Sequence, residues 1–190
     1  TVVLLDDLIS EATARALEIV KSKNPELASS EQQMVAKAVA LGAIKYSMLS
    51  RDSTKIVTFD WKTALDFNGQ AAPYIQYAYV RANSILRKAG GYPSEFHAAL
   101  PEPGASELEL VDLISRFPKE VQRAASELRP LHLANMAYDL AKAFSDFYNQ
   151  CPVLQAEEPT RSYRIRLVAA ARQTIGNVLA LLGITAPDVM

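Results

Sequence analysis

The sequence predicts an all-α fold, specifically a helical bundle preceded by a smaller helical unit. Long stretches carry apolar residues at helical spacing, which is the pattern of a helix with one buried face. One such stretch contains Leu133, Ala137, Leu140, Phe144 and Phe147. Helix-breaking residues separate these stretches, as at Asn24-Pro25, Gly90-Gly91 and Pro152. Only Lys55–Phe59 is rich in β-branched residues, and this stretch is too short to define a sheet.

Capping and turn residues divide the first 70 positions into three helices and a turn. The first helix is capped by Asp6 or Asp7 and runs to about Ser22. The second runs from Ser30 to Tyr46, and a short third helix runs from Asp60 to Phe67. A turn follows at Asn68-Gly69. We expect these helices to form the smaller unit.

The remaining positions predict five helices and a loop. The first helix begins at Pro73 and ends at Gly90-Gly91, and a loop follows through Pro101, Pro103 and Gly104. The next helix has a Ser106/Glu109 capping box and runs to about Arg116, where Pro118 starts another short helix. A long helix then runs from Pro130 to Pro152, and the last helix is capped by Thr160 and closed by Gly183.

The helix that follows Pro73 has two different faces. Its apolar face comprises Ile75, Ala78, Ala82, Ile85, Leu86 and Ala89. Tyr74, Tyr77 and Arg81 are three and four residues apart, so they rise along another side. Aromatic rings beside a guanidinium suit an unstacked nucleotide base. Aromatics at helical spacing also commonly pack in a core, an alternative that stays open above all for Tyr74.

Composition limits the function classes. The formal net charge of the 190 residues is −1, so we expect no DNA partner and any RNA contact must come from a local basic surface. Cys151 is the only cysteine, which excludes an internal disulfide and favours a reducing cytoplasm. His97 and His132 have no partners at metal-ligand spacing. Apolar runs such as Val178–Leu182 are too short to span a membrane.

Several segments, in order along the chain, resemble the arginyl-tRNA synthetase family. Gln70–Arg81 matches the family pattern G-P-Y-x-Q-Y-A-x-x-R, with Ala72 in place of glycine. The other similar segments are Gly42-Ala43-Ile44-Lys45-Tyr46, Phe59-Asp60-Trp61, Leu133-Ala134-Asn135 through Cys151-Pro152-Val153, and Ala171-Arg172-Gln173 through Met190. Together they cover nearly the whole chain.

The resemblance implies a domain organisation. Residues 70–190 would form the family's DALR-type anticodon-binding bundle, and residues 1–69 a helical connecting unit that contacts the inner corner of the tRNA. The stretch Thr1–Leu8 resembles the family sequence that follows the KMSKS-type loop, so we expect a C-terminal fragment. The HIGH-type and KMSKS-type motifs do not occur here. The full-length ligase would use ATP and Mg²⁺, whereas this fragment would hold no cofactor and would not activate arginine.

The resemblance also assigns candidate contacts to tRNA(Arg). Tyr74, Tyr77, Arg81, Tyr148 and Met190 would meet the anticodon loop. The secondary contacts would be Lys88, Asn135, Arg164 and Arg172. Some alternatives stay open: Tyr148 can be buried beside Phe144 and Phe147, and the two arginines of the last helix can pair with acidic neighbours. A helical protein-interaction or scaffold domain is the alternative function, because tyrosine and arginine are also enriched in protein interfaces.

Overall fold

The computed structural model describes residues 4–56, 58–91 and 102–190. Within these ranges the chain forms seven α-helices and no β-strand, which confirms the all-α prediction. The helices are α1 (Leu5–Lys23), α2 (Ser29–Leu49), α3 (Trp61–Ala64), α4 (Ala72–Ala89), α5 (Ala105–Glu127), α6 (Leu131–Gln150) and α7 (Thr160–Leu181). Val57, His97, the start of the chain at Thr1–Val3 and most of the predicted loop before Gly104 lie outside the described residues.

Three predicted N-caps are wrong by one to three residues. The residues that precede α1, α2 and α7 are Leu4, Ala28 and Pro159, and none of them uses a side-chain cap. Asp6 and Asp7 lie inside the first turn of α1 instead, where a carboxylate also interacts favourably with the helix dipole. The acidic side chain that closes the start of α2 is that of Glu31, which accepts a hydrogen bond of 3.2 Å from the backbone N–H of Ala28.

Two predicted helix ends are confirmed. The carboxylate of Asp60 caps α3 by accepting a 2.9 Å hydrogen bond from the backbone N–H of Thr63. At the end of α4, Gly90 adopts a left-handed conformation with φ of 79°, which a residue without a Cβ reaches at no steric cost.

The predicted break at Pro118 is wrong, because α5 continues through this proline to Glu127. Leu110 before it and Ala124 after it are both buried in the bundle, with Phe117 and Val121 packed against the same core. Burial of one continuous apolar face on both sides of Pro118 favours an unbroken helix, against the roughly 3 kcal/mol cost of an internal proline. The capping box also differs from the predicted Ser106/Glu109 pair: Gly104 is the N-cap, and Glu107 reaches back to it.

The buried side chains form two clusters. The first joins α1, α2 and α3, and the second joins α4 to α7. The apolar faces predicted for α4 and α6 are buried in the second cluster, which confirms both faces. The described part of the chain has no helix that is both long and apolar enough to cross a membrane.

The two clusters meet where α2 packs against α4. Gly42 of α2 lies at this contact, and a Cβ added to it would be 3.0 Å from Nε2 of Gln76 and 3.2 Å from Cγ2 of Ile184. The absence of a side chain at position 42 therefore lets α4 and the segment after α7 approach α2 closely.

Tyr46 provides a second link between the units. It lies on α2, is almost fully buried in the second cluster, and donates a hydrogen bond of 3.1 Å from its hydroxyl to the backbone oxygen of Ala134 in α6. Burial raises the pKa of Tyr46 to about 12, because the phenolate would lose its hydration.

The raised pKa of Tyr46 predicts a dependence of stability on pH. The folded chain favours the neutral phenol, so this contribution is complete below pH 10, the ordinary phenol pKa, and is lost as pH rises through about 12. In an ultraviolet titration of tyrosinate, the Tyr46→Phe variant should lack one phenol that ionises near pH 12 in the parent. Loss of a phenol that ionises near pH 10 instead would contradict this assignment.

Candidate nucleic-acid interface

Arg81 lies between two tyrosine rings. Its guanidinium carbon is 4.7 Å from the ring centroid of Tyr77, one turn earlier on α4, and 4.7 Å from that of Tyr148, near the end of α6. Tyr77 is 39% exposed and Tyr148 is 42% exposed, so the buried alternative for Tyr148 does not hold. The arrangement presents a cation and two aromatic surfaces to solvent.

A pocket of about 420 Å³ opens on the Tyr77 side of Arg81. We call it the first pocket. Its lining residues are Val20, Lys23, Asn24, Phe67, Asn68, Tyr77, Arg81 and Met190. The ammonium of Lys23 lies 5.4 Å from the ring centroid of Phe67, so a second cation and a second aromatic ring face the same space.

A second pocket, of about 580 Å³, opens on the Tyr148 side of Arg81. Its polar lining comes from Ser84 and Lys88 of α4 and from Asn149 and Gln155, at and beyond the end of α6. None of the described residues that line either pocket is an aspartate or a glutamate. Each pocket is therefore lined by two cationic side chains and by no carboxylate side chain among the described residues, a composition that suits a polyanion.

Four of the predicted contacts lie at this site together with Lys88: Tyr77, Arg81, Tyr148 and Met190. Met190 is partly buried, packs against the first cluster, and closes one side of the first pocket. Their role in RNA binding stays a prediction, but the fold places them together.

Tyr74 and Asn135 lie elsewhere. The ring centroid of Tyr74 is 5.7 Å from that of Tyr138 on α6, and the ring packs against the bundle core, as the core alternative proposed. Asn135 is exposed in a separate cleft between α5 and α6, which also contains His132. Asn135 precedes Tyr148 by 13 positions on α6, which corresponds to roughly 20 Å along the helix. Contact of these two residues with RNA stays a prediction without support from the site geometry.

Arg164 is engaged inside the protein. Its Nε donates to the carboxylate of Glu107 at 2.8 Å, and one terminal nitrogen donates to the backbone oxygen of Pro152 at 2.8 Å. Glu107 is 3% exposed and Arg164 is 18% exposed. This matches the acidic-partner alternative, and a phosphate contact by Arg164 stays untested.

Arg172 is also held by neighbours, although none of them is acidic. Its Nε bonds to the side-chain oxygen of Asn83 and a terminal nitrogen donates to the hydroxyl of Tyr79 at 3.0 Å. Its guanidinium carbon lies 5.1 Å from the ring centroid of Tyr79. These bonds connect α7 to α4, so Arg172 has a structural role whatever else it contacts.

Sequence reasoning missed the part of the first pocket that comes from the first 69 residues. Lys23 and Asn24 end α1, and Phe67 and Asn68 lie in the turn before α4. From their residue types, Asn24-Pro25 indicates only a helix end and Asn68-Gly69 only a turn. Their convergence depends on the α2–α4 contact, which no local pattern reveals.

A family model described as the DALR anticodon binding domain matches residues 75–190. The chain belongs to this family. A second model, described as the catalytic domain of class I tRNA synthetases (R), matches residues 1–61. The DALR model thus covers α4 from residue 75 onward and all of α5 to α7, including Tyr77, Arg81, Tyr148 and Met190.

The DALR-domain chain is similar over almost its whole length to arginine–tRNA ligases. It is 42% identical to the enzyme of Thermococcus sibiricus and 43% identical to that of Pyrococcus abyssi, over 98% of this chain and 30% of each relative. The solved arginyl-tRNA synthetase of Thermus thermophilus has a TM-score of 0.91 and 39% identity, over 99% of this chain and 32% of that chain. This confirms the resemblance seen in the sequence. The chain spans about a third of the length of these relatives.

The buried Glu107–Arg164 pair gives a stability prediction for the DALR domain. Glu107→Ala removes both the bond to the start of α5 and the partner of Arg164, so we expect the free energy of unfolding to fall by about 2–4 kcal/mol. Glu109→Ala changes an exposed glutamate on the same helix and should cost less than about 0.5 kcal/mol. Chemical denaturation measures both variants. Equal stabilities would show that the pair contributes nothing to folding.

Proposed function

We propose that this chain is the C-terminal tRNA-binding part of an arginine–tRNA ligase and that it binds the anticodon loop of tRNA(Arg). The observation that carries the proposal is Arg81, held between two half-exposed tyrosine rings with a basic pocket on each side. The similarity to arginine–tRNA ligases supports the choice of tRNA. Binding would hold the acceptor end of the tRNA toward the catalytic domain of the ligase, whose family model this chain matches over residues 1–61.

The geometry suits bases that have left the stacked helix. The guanidinium carbon of Arg81 lies 4.7 Å from the centroid of each ring, and its N–H donors lie in the guanidinium plane. Those donors can reach a phosphate or a base edge, while the exposed surfaces of Tyr77 and Tyr148 can stack on splayed bases. The first pocket is large enough for a nucleotide base, and Lys23 adds a charge for a nearby phosphate.

The proposal gives the two parts of the chain different roles. Residues 70–190 would be the anticodon-binding bundle, and residues 1–69 the connecting unit that rests on the inner corner of the tRNA. The connecting unit would also take part in the first pocket through Lys23 and Phe67. In the whole ligase, ATP and Mg²⁺ would serve the catalytic domain. A cytoplasmic setting is consistent with Cys151, a buried free thiol.

Removal of the Tyr77 ring tests the proposal directly. We expect Tyr77→Ala to weaken binding of tRNA(Arg) by about 1–3 kcal/mol through lost stacking, with little change in melting temperature because the ring is substantially exposed. A filter-binding assay with tRNA(Arg) and with an anticodon-altered tRNA measures the effect, and the variant should lose affinity mainly for the first. Unchanged affinity with unchanged melting would contradict the proposal.

The dependence of binding on salt separates RNA from a protein partner. If Arg81 contacts a phosphate, the log–log plot of affinity against salt should be linear, and its slope should become about 0.7–0.9 less steep in Arg81→Gln. Arg161→Gln is the matched control, because Arg161 lies on α7, pairs with Glu158, and lines neither pocket. A slope near zero for the parent would favour the scaffold alternative.

A further inference from the structure

Gln76 lies next to Tyr77 on α4 but points away from solvent. Its side chain is fully buried. Its Nε2 donates to the backbone oxygen of Ala38 in α2 at 3.1 Å and to that of Thr185 at 2.7 Å. One amide group therefore joins α4 to α2 and to the residues after α7. We call residues 183–190 the C-terminal segment.

The C-terminal segment is held along its whole length. Gly183 turns the chain out of α7 with φ of 66°, and the ammonium of Lys45 bonds to its backbone oxygen. Ile184 is buried beside Gly42. At the far end, Val189 and Met190 pack against the α1–α2–α3 cluster, where Met190 lines the first pocket beside Tyr77 and Arg81. The path of this segment thus decides where Met190 lies.

The two backbone oxygens that accept hydrogen bonds from Gln76 differ in whether a helix supplies them with another donor. Ala38 lies inside α2, where the helix backbone already supplies a donor to its oxygen, whereas Thr185 lies outside any helix. Oε1 of Gln76 has no hydrogen-bond partner among the described residues, and burying such an acceptor is unfavourable. The hydrogen bonds of this buried amide are therefore all on its donor side, and Thr185 is its acceptor outside any helix.

We infer that Gln76 is a positioning residue for the proposed RNA site: its amide holds the C-terminal segment at Thr185 so that Met190 forms a wall of the first pocket. The inference rests on the proposed function. A thioether is apolar and polarisable, which suits contact with a flat base. Gln76 itself would touch no RNA, and it would act only through the placement of Met190.

The test replaces Gln76 by methionine, which has a similar length and no hydrogen-bond donor. Gln122→Met is the matched control, because Gln122 is exposed on α5 and lies away from the C-terminal segment. Lys45→Met removes the other side-chain bond to the segment, the one from Lys45 to the backbone oxygen of Gly183. Because Lys45 is exposed, this variant can test whether the C-terminal segment detaches even if Gln76→Met folds poorly. Lys37→Met, also exposed on α2, controls for the lost charge.

The first readout uses no RNA. Carboxypeptidase Y should release Met190 about tenfold faster from Gln76→Met than from the parent, since a freed terminus is exposed to digestion. Lys45→Met should change the rate in the same direction, and the two controls should not. Release at the parental rate from a folded Gln76→Met variant would overturn the inference, whatever the rate from Lys45→Met.

The second readout is affinity for tRNA(Arg), measured for the parent, for Gln76→Met, for a chain lacking Val189 and Met190, and for the combination of the two changes. We expect each single change to weaken binding about tenfold, and the combination to weaken it no further. A general loss of structure would instead add to the effect of the deletion, and that result would overturn the inference.

The outcomes for the two proposals are distinguishable. If the parent does not bind tRNA(Arg), the proposed function fails and the inference fails with it. If the parent binds and Gln76→Met binds equally well, only the inference fails, because Met190 then needs no positioning by this amide.

Discussion

The close approach of α2 and α4 at Gly42 is the constraint on which the arrangement of this chain depends. Any side chain at position 42 would meet Gln76 and Ile184 within about 3 Å. Because α2 belongs to the first cluster and α4 to the second, this contact joins the two clusters, together with the link from Tyr46 to α6. It also brings Lys23 and Phe67 to face Tyr77 and Arg81 across the first pocket. The first pocket is therefore a product of the junction between the units, whereas the second pocket is lined only by residues of α4, the end of α6 and the segment after it.

The three arginines that the sequence singled out show how packing selects which cations stay available. Arg164 is bonded to a buried carboxylate, and Arg172 to Asn83 and Tyr79, so the donors of both are engaged within the protein. Arg81 is held instead by two ring faces. A cation–π contact at an exposed site contributes about 0.5–1 kcal/mol, enough to order the side chain while leaving its hydrogen-bond donors free. The sequence placed Arg81 beside two tyrosines on one helix, but it left open whether Arg164 and Arg172 are paired within the protein, and their neighbours in the fold answer that question.

The helices themselves could be predicted because each buries one continuous apolar face. That signal is spread over many residues, as in α6, where the stripe from Leu133 to Phe147 is buried as expected. The start of a helix depends on one side chain, and the predicted caps at Ser30 and Thr160 were wrong for that reason. The predicted break at Pro118 was wrong for a related reason. A single proline is a local signal, and burial of apolar side chains on both sides of it keeps the helix continuous. Tyr74 and Tyr77 are only three positions apart, yet Tyr74 packs against the ring of Tyr138 and Tyr77 is exposed.

A chain with a formal net charge of −1 can still present a surface suited to a polyanion, because charge acts locally. The Debye length at physiological salt is about 8 Å, so distant carboxylates contribute little to the potential in the two pockets. Many of the acidic groups on α5 are paired nearby, as in Asp112 with Arg116 and Glu127 with Arg123. The cations Lys23, Arg81 and Lys88 line pockets that contain no carboxylate side chain among the described residues. In the proposed function, long-range attraction of RNA would therefore be weak, and base stacking and shape would determine which RNA binds.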